Sequence, residues 1–279
     1  MKVRVISSLV GLVILLIVLA LFDTLLLNLM IALIAFLAVY ELLSATGCLK
    51  HRGLAVLSLL VSAAVPFLVS VPGWLLLACY LYLAALFLLL LRFHEKLHIE
   101  QVAMGLLFTL LVSFSLSTVV VLRDRLGTGL GVFYTMVALG SAWLSDTGAY
   151  FSGRLFGKHK LAPYVSPKKT VEGAIGGVVV SELLMLAIAW LCAAAARTFW
   201  VPIQVHYHRL LLVVPILSVM SMVGDLSASV IKRQYGVKDY GSIIPGHGGI
   251  MDRFDSALMV APLVFLLSLW FPLAVQLVR

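Results

Sequence analysis

The sequence predicts an all-α fold, a polytopic transmembrane helix bundle of about nine spans. Three observations carry this. Of 279 residues, 63% are hydrophobic and 11% charged, against roughly 25% charged in a soluble domain. The mean hydropathy is +1.14. Apolar runs of about 18 residues or more, the length that crosses a bilayer, recur along the whole chain. In lipid each run must satisfy its own backbone hydrogen bonds. None shows the alternation of a barrel strand, so helix is the expected conformation.

The runs fall at about 3–22, 25–45, 54–71, 74–92, 102–122, 129–150, 174–196, 209–225 and 256–278. The first follows Lys2 and Arg4 as a signal peptide would. It continues to about Phe22 without a small-x-small cleavage site, and is read as a retained helix. Lys50 and Arg52 precede the third run, Arg92 and Lys96 follow the fourth, and Arg123 and Arg125 separate the fifth from the sixth. The third and eighth are the shortest. With the N-terminus inside, fifteen Lys and Arg fall on the inner face. Arg123, Arg125, Arg197, Arg209 and Arg279 fall on the outer one, completing the 20 in the chain. That excess is the positive-inside pattern.

The net charge of +8 lies between apolar runs. It points to an anionic lipid surface or a phosphorylated substrate, not to nucleic acid. Cys48, Cys79 and Cys192 are far apart and form no CxxC pair, so neither a disulfide framework nor a zinc site is indicated. His94, His98, His206 and His208 read as interfacial, with spacings that suit zinc only weakly. Glu41 and Glu182 fall inside apolar runs and are expected to pair within the bundle. The tryptophans fit an aromatic belt.

Two inner segments stand apart. The first holds Asp146, Tyr150 and Arg154 on one face of a continuing helix, then Lys158 to Lys160, then Ser166-Pro-Lys-Lys169-Thr170-Val-Glu172-Gly173. Thr170 precedes a new helix. It is not half of a capping box, because the third residue on is glycine. The second segment reads Asp225, Ser229, Lys232 and Arg233 along one helical stripe, then Lys238-Asp239-Tyr240. Pro245-Gly-His247-Gly248-Gly249 follows, then Asp252-Arg253-Phe-Asp255-Ser256. The Pro245–Gly249 stretch cannot be regular helix and is expected to aim N–H groups at an anion. Asp252, Asp255 and Ser256 are expected on the helix that follows. Carboxylates are hard ligands that suit Mg²⁺, and lysine and arginine suit phosphate oxygens. Both sets together describe a nucleotide–metal site. His247 sits where a structural role, phosphate contact and proton transfer are all open.

These two segments resemble phosphatidate cytidylyltransferases, the CDP-diacylglycerol synthases. The matching signature is Ser229-Val-Ile-Lys232-Arg233, Lys238-Asp239 and Pro245-Gly-His247-Gly248-Gly249-Ile-Met-Asp252-Arg253-Phe-Asp255. The stretches around Asp146 and Lys169 match the family pattern as well. The resemblance implies cytidylyl transfer from CTP to phosphatidic acid, giving CDP-diacylglycerol and pyrophosphate. It implies Mg²⁺, with room for a second cation, on Asp225 and Asp252, with Asp255 beside them and Asp146 as a weaker candidate. Asp225, Asp252, Lys232 and His247 would act in catalysis. Lys169, Ser229, Arg233, Lys238, Arg253, Gly248 and Gly249 would hold substrate.

Residues 1–128 are then an N-terminal hydrophobic bundle, and 129–279 a catalytic membrane module. The expected setting is a bacterial inner membrane with the site facing the cytoplasm. The expected partners are CTP, phosphatidic acid and membrane lipid. Oligomeric state stays open, a homodimer included. The competing readings are a cytidylyltransferase or kinase for another membrane lipid, and a polytopic organic-anion transporter. A transporter would place its charges near mid-membrane and carry inverted repeats. Here the charges cluster at one face and no repeat is apparent.

Overall fold

A computed structural model describes residues 2–277. Arg279, counted above on the outer face, lies outside the described residues, as do the side chains of Lys2 and Arg4. Helices underlie all nine expected runs, the ninth only as far as Trp270: α1 (Lys2–Ala20), α2 (Leu25–Ala45), α3 (Arg52–Leu68), α4 (Pro72–Arg92), α5 (Ile99–Phe156), α6 (Val171–Phe199), α7 (Tyr207–Gln234), α8 (Met251–Phe254) and α9 (Ala257–Trp270). α5 supplies two of the runs, and α8 is a short extra turn before the last. Five of these helices are long and apolar enough to cross a membrane. The chain is an integral membrane protein.

At about 1.5 Å per residue, the 58 residues of α5 far exceed a hydrocarbon core of about 30 Å. The helix breaks at Gly127 (φ 75°, ψ 175°), inside the expected 122–129 gap. The positive φ is open to glycine at little cost. The Gln276 amide donates to the Leu126 carbonyl at the break (3.0 Å).

The chain divides into two compact units, Met1–Val121 with Gln234–Phe254, and Leu122–Arg233 with Asp255–Arg279. These units cut through the signature, between Arg233 and Gln234 and between Phe254 and Asp255.

In the first unit, α2, α3, α4 and the start of α5 pack together. The Tyr82 hydroxyl, buried on α4, is shared by Ser58 of α3 (2.8 Å), Thr109 of α5 (3.0 Å) and the Gly105 carbonyl (3.2 Å). Such a polar knot ties helices together where lipid offers no hydrophobic drive.

In the second unit, glycines let α5 and α6 approach closely. A Cβ at Gly148 would lie 3.1 Å from Gly177 Cα, and one at Gly173 2.8 Å from the Ala149 carbonyl oxygen. The polar segment between these helices is not plain loop. β1 (Lys160–Ala162) and β2 (Ser166–Thr170) form an antiparallel hairpin. It delivers Thr170 as the N-cap of α6, where its hydroxyl accepts from Gly173 N (3.1 Å). As expected, no reciprocal capping box forms. The ninth run corrects differently. α9 stops at Trp270, and the chain turns back as β4 (Ala274–Gln276), pairing antiparallel with β3 (Ile203–Val205). Arg209 Nη1 donates to the Pro272 carbonyl at this turn (2.7 Å), and the Tyr134 hydroxyl accepts from Leu273 N (2.8 Å).

Candidate active site

The second unit gathers three aspartates. α7 carries Asp225, and one turn on, the Ser229 hydroxyl donates to its Oδ1 (3.4 Å). Its Oδ2 is ion-paired with Lys169 Nζ from β2. Lys232, a further turn along, is 9% exposed. Asp252 lies on α8, but Asp255 and Ser256, expected on the same helix, form the turn between α8 and α9 instead. The Ser256 amide donates to Asp255 Oδ1 (2.7 Å). The Ser256 hydroxyl lies 2.9 Å from Asp146 Oδ2 and 3.3 Å from Asp255 Oδ1. A hydroxyl has one proton to donate, so Ser256 serves one of these two carboxylates at a time. Gly224 makes room for this turn, because a Cβ there would lie 2.7 Å from the Asp255 carbonyl oxygen.

Burial pushes the Asp255 carboxyl up to about 7, and the neighbouring charges of Asp225 and Asp146 push the same way. The Ser256 amide and Lys232 oppose them. A carboxyl that titrates near 7 in the fold, against an ordinary 3.8, holds its proton more tightly when folded. Its stabilising contribution is therefore complete below about pH 4 and withdrawn as pH rises toward 7. In chelator-treated protein, thermal stability should be lower at pH 8 than at pH 5. Asp255→Asn, neutral throughout, should flatten that slope. Melting curves in detergent at the two pH values check it, and an undiminished slope in the variant would assign it elsewhere.

The first unit builds the other half of the signature as a loop. Ile244 and Gly248 bridge (Ile244 N to Gly248 O, 2.9 Å), and His247 N returns to the Ile244 carbonyl (3.0 Å). Gly246 (φ 77°) and Gly248 (φ 84°) adopt left-handed backbone there. Asp252 Oδ2 accepts from Tyr240 N (2.9 Å) and Gly249 N (3.1 Å). Arg253 Nε donates to the His247 carbonyl (3.0 Å). The His247 ring meets the hydroxyls of Ser7 (2.8 Å) and Ser8 (3.3 Å) on α1. Lys238, Asp239, Gly246, His247, Gly248 and Arg253 line a cleft of about 380 Å³. Within the turn the amides of His247 and Gly249 are taken by protein acceptors, and just beyond it so are those of Ile250 and Met251.

The sequence model of the cytidylyltransferase family matches residues 2–271. The chain belongs to this family. Over 137 residues it is 47% identical to the phosphatidate cytidylyltransferases of Staphylococcus haemolyticus (strain JCSC1435) and Staphylococcus epidermidis (strain ATCC 12228 / FDA PCI 1200). It is 46% identical to that of Staphylococcus aureus (strain COL). Each match covers 49% of this chain and 49% of the relative, so it spans about half the length of the curated relatives.

The chemistry of the second unit's donor set suits a hard divalent cation: three carboxylates with serine hydroxyls between them. Among the described residues, however, no three acidic, histidine or cysteine side chains converge as a ready-made metal shell. Asp225 is engaged by Lys169 instead. Arg233 Nε donates to the Val165 carbonyl in the β1–β2 turn (3.2 Å), so it braces the hairpin. Glu172, part of the first segment's motif, has a structural task. Its carboxylate accepts from the amides of Lys158 (3.0 Å) and His159 (3.1 Å) and fixes the other end of that hairpin. Ser256 was placed beside the aspartates but given no role. Glu182, expected to pair, has no hydrogen-bond partner for either carboxylate oxygen among the described residues. Glu41, expected to pair within the bundle, finds its partners in the backbone amides of Ile250 and Met251.

Proposed function

We propose that this member of the cytidylyltransferase family transfers the cytidylyl group of CTP to phosphatidic acid, giving CDP-diacylglycerol and pyrophosphate. The observation that carries the proposal is the Asp146–Asp225–Asp255 cluster with Lys169 and Lys232 beside it. It lies in a chain half-matched by enzymes named for this reaction. In the balanced step, an oxygen of the lipid phosphate attacks the α-phosphorus of CTP. A new P–O bond forms, and the bond to the β-phosphate oxygen breaks to release pyrophosphate.

The attacking group is already anionic near neutral pH, so no strong general base is needed. Catalysis reduces to positioning and charge stabilisation. Lys169, Lys232, Lys238 and Arg253 supply positive charge for phosphate oxygens. Ser229 and Ser256 orient the carboxylates. Asp225, Asp255 and Asp146 would hold Mg²⁺ and any second cation, which would offset charge on the nucleotide phosphates; the signature makes Asp252 a further candidate ligand. His247 is held by Ser7 and the glycine turn, and Gly248 and Gly249 let the loop backbone pass close to Asp252 and Glu41. The positive-inside pattern supports a cytoplasmic site in a bacterial inner membrane, with CTP reaching it from water and phosphatidate from lipid.

Purified protein with Mg²⁺, radiolabelled CTP and phosphatidate should yield a labelled liponucleotide and pyrophosphate in equal amounts. Chelating the divalent cation should abolish both products. Properly folded protein that forms neither would overturn the reading.

A further inference from the structure

Ionised side chains inside membrane helices are costly and need a partner. Glu41 is near the C-terminal end of α2 and 2% exposed. Its two oxygens accept from consecutive amides, Oε1 from Ile250 N (3.1 Å) and Oε2 from Met251 N (2.8 Å). Packing closes on the same carboxylate from both ends of the glycine loop. A Cβ at Gly241 would lie 2.2 Å from Oε1, and one at Gly249 2.4 Å from Oε2. Retreat of the carboxylate would strand two amides. An apolar side chain would pack α2 without the cost of burying a charge. What glutamate adds is a pair of acceptors at fixed spacing. The next residue after these amides is Asp252, whose Oδ2 holds the opposite sides of the loop at Tyr240 N and Gly249 N. Glu41 and Asp252 therefore grip one segment in two places.

We propose that Glu41 is a positioning residue: its carboxylate clamps the amides of Ile250 and Met251 and so sets the direction of Asp252 and Arg253, without itself touching substrate. Its part in turnover rests on the cytidylyl-transfer reading above. The clamp also gives α2, far away in sequence, a task in the chemistry.

The test is Glu41→Gln. The amide offers one acceptor and sets a donor against the second N–H. A misdirected group at a reacting centre costs rate more than binding, and a displacement of about 1 Å can cost up to about 100-fold. We expect kcat to fall by about 10–100-fold, with KM for CTP nearly unchanged. Amide hydrogen exchange, read by mass spectrometry, should quicken in peptides covering 241–254 and stay at wild-type rates in α3 and α6. Gly241→Ala presses on the same carboxylate and should give the same pattern, so it decides the matter if the glutamine variant does not fold. Loss of turnover without faster exchange, or faster exchange at full turnover, overturns the role. A wild type that makes no liponucleotide sinks the reaction, whereas unchanged exchange in the variants of an active enzyme sinks the clamp.

Discussion

Asp252→Asn should lower cytidylyl transfer by about 10²–10³-fold, the cost of losing one charge-stabilising group at a reacting centre, while the protein stays folded. The geometry separates the two jobs of this side chain. Both loop contacts use a single oxygen, Oδ2, which accepts from Tyr240 N and Gly249 N. The carbonyl oxygen of asparagine can take that place and accept both. What disappears is the negative charge. Asp252→Ala removes the acceptor as well and leaves two loop amides without their partner, at about 1–3 kcal/mol each if water does not reach them. The expected pattern is therefore two inactive variants that differ in stability. Asparagine should melt close to wild type and alanine clearly below it. Turnover assays beside thermal unfolding in detergent read both quantities. An active asparagine variant would mean that the charge of Asp252 takes no part in the chemistry, and that its role ends with shaping the loop.

Much of this fold is legible in the sequence because lipid imposes a simple rule. A run of about 20 apolar residues has one good conformation, and a helix underlies each of the nine runs, though in the last it ends at Trp270. Ionised groups beside membrane spans require partners, and that drew the reading to the aspartates and lysines of the second unit. It did not show the pairing of Lys169 with Asp225, 56 residues apart, because the sequence assigns one to phosphate and the other to a cation. The β1–β2 hairpin was not legible. Its strands are short and lysine-rich, with burial patterns that barely alternate, so no period-2 signal announces them. Nor could β3 be seen, since its partner β4 lies some 70 residues on, at the end of a run that reads as continuous helix. Glu41 was missed for a deeper reason. Its partners are backbone amides 209 and 210 residues away. An amide has the same chemistry whichever side chain it carries, so composition and spacing give no sign of it. The one available hint was negative: an acidic residue in an apolar run with no basic residue near it.

Replacing either member of the Lys169–Asp225 pair should be nearly as damaging as Asp252→Asn, but the two replacements should differ in a telling way. Asp225→Asn removes a carboxylate from the cluster and discharges Lys169's partner in one stroke. It should cut turnover by about 10²–10³-fold and raise the Mg²⁺ concentration needed for what activity remains. Lys169→Met leaves the carboxylate in place and removes the ammonium that now occupies its Oδ2. A lysine and a divalent cation compete for the same oxygen, so half-saturation by Mg²⁺ should move to lower concentration in this variant. KM for CTP should rise, because a donor to phosphate has gone. Steady-state titrations of Mg²⁺ and of CTP on both variants test these opposed shifts. If Lys169→Met weakens Mg²⁺ activation as Asp225→Asn does, the ion pair is a brace that keeps β2 against α7. If the shifts oppose, Lys169 is a counter-charge that holds Asp225 in the fold until a cation and a nucleotide arrive, and the hairpin that carries it belongs to the catalytic apparatus.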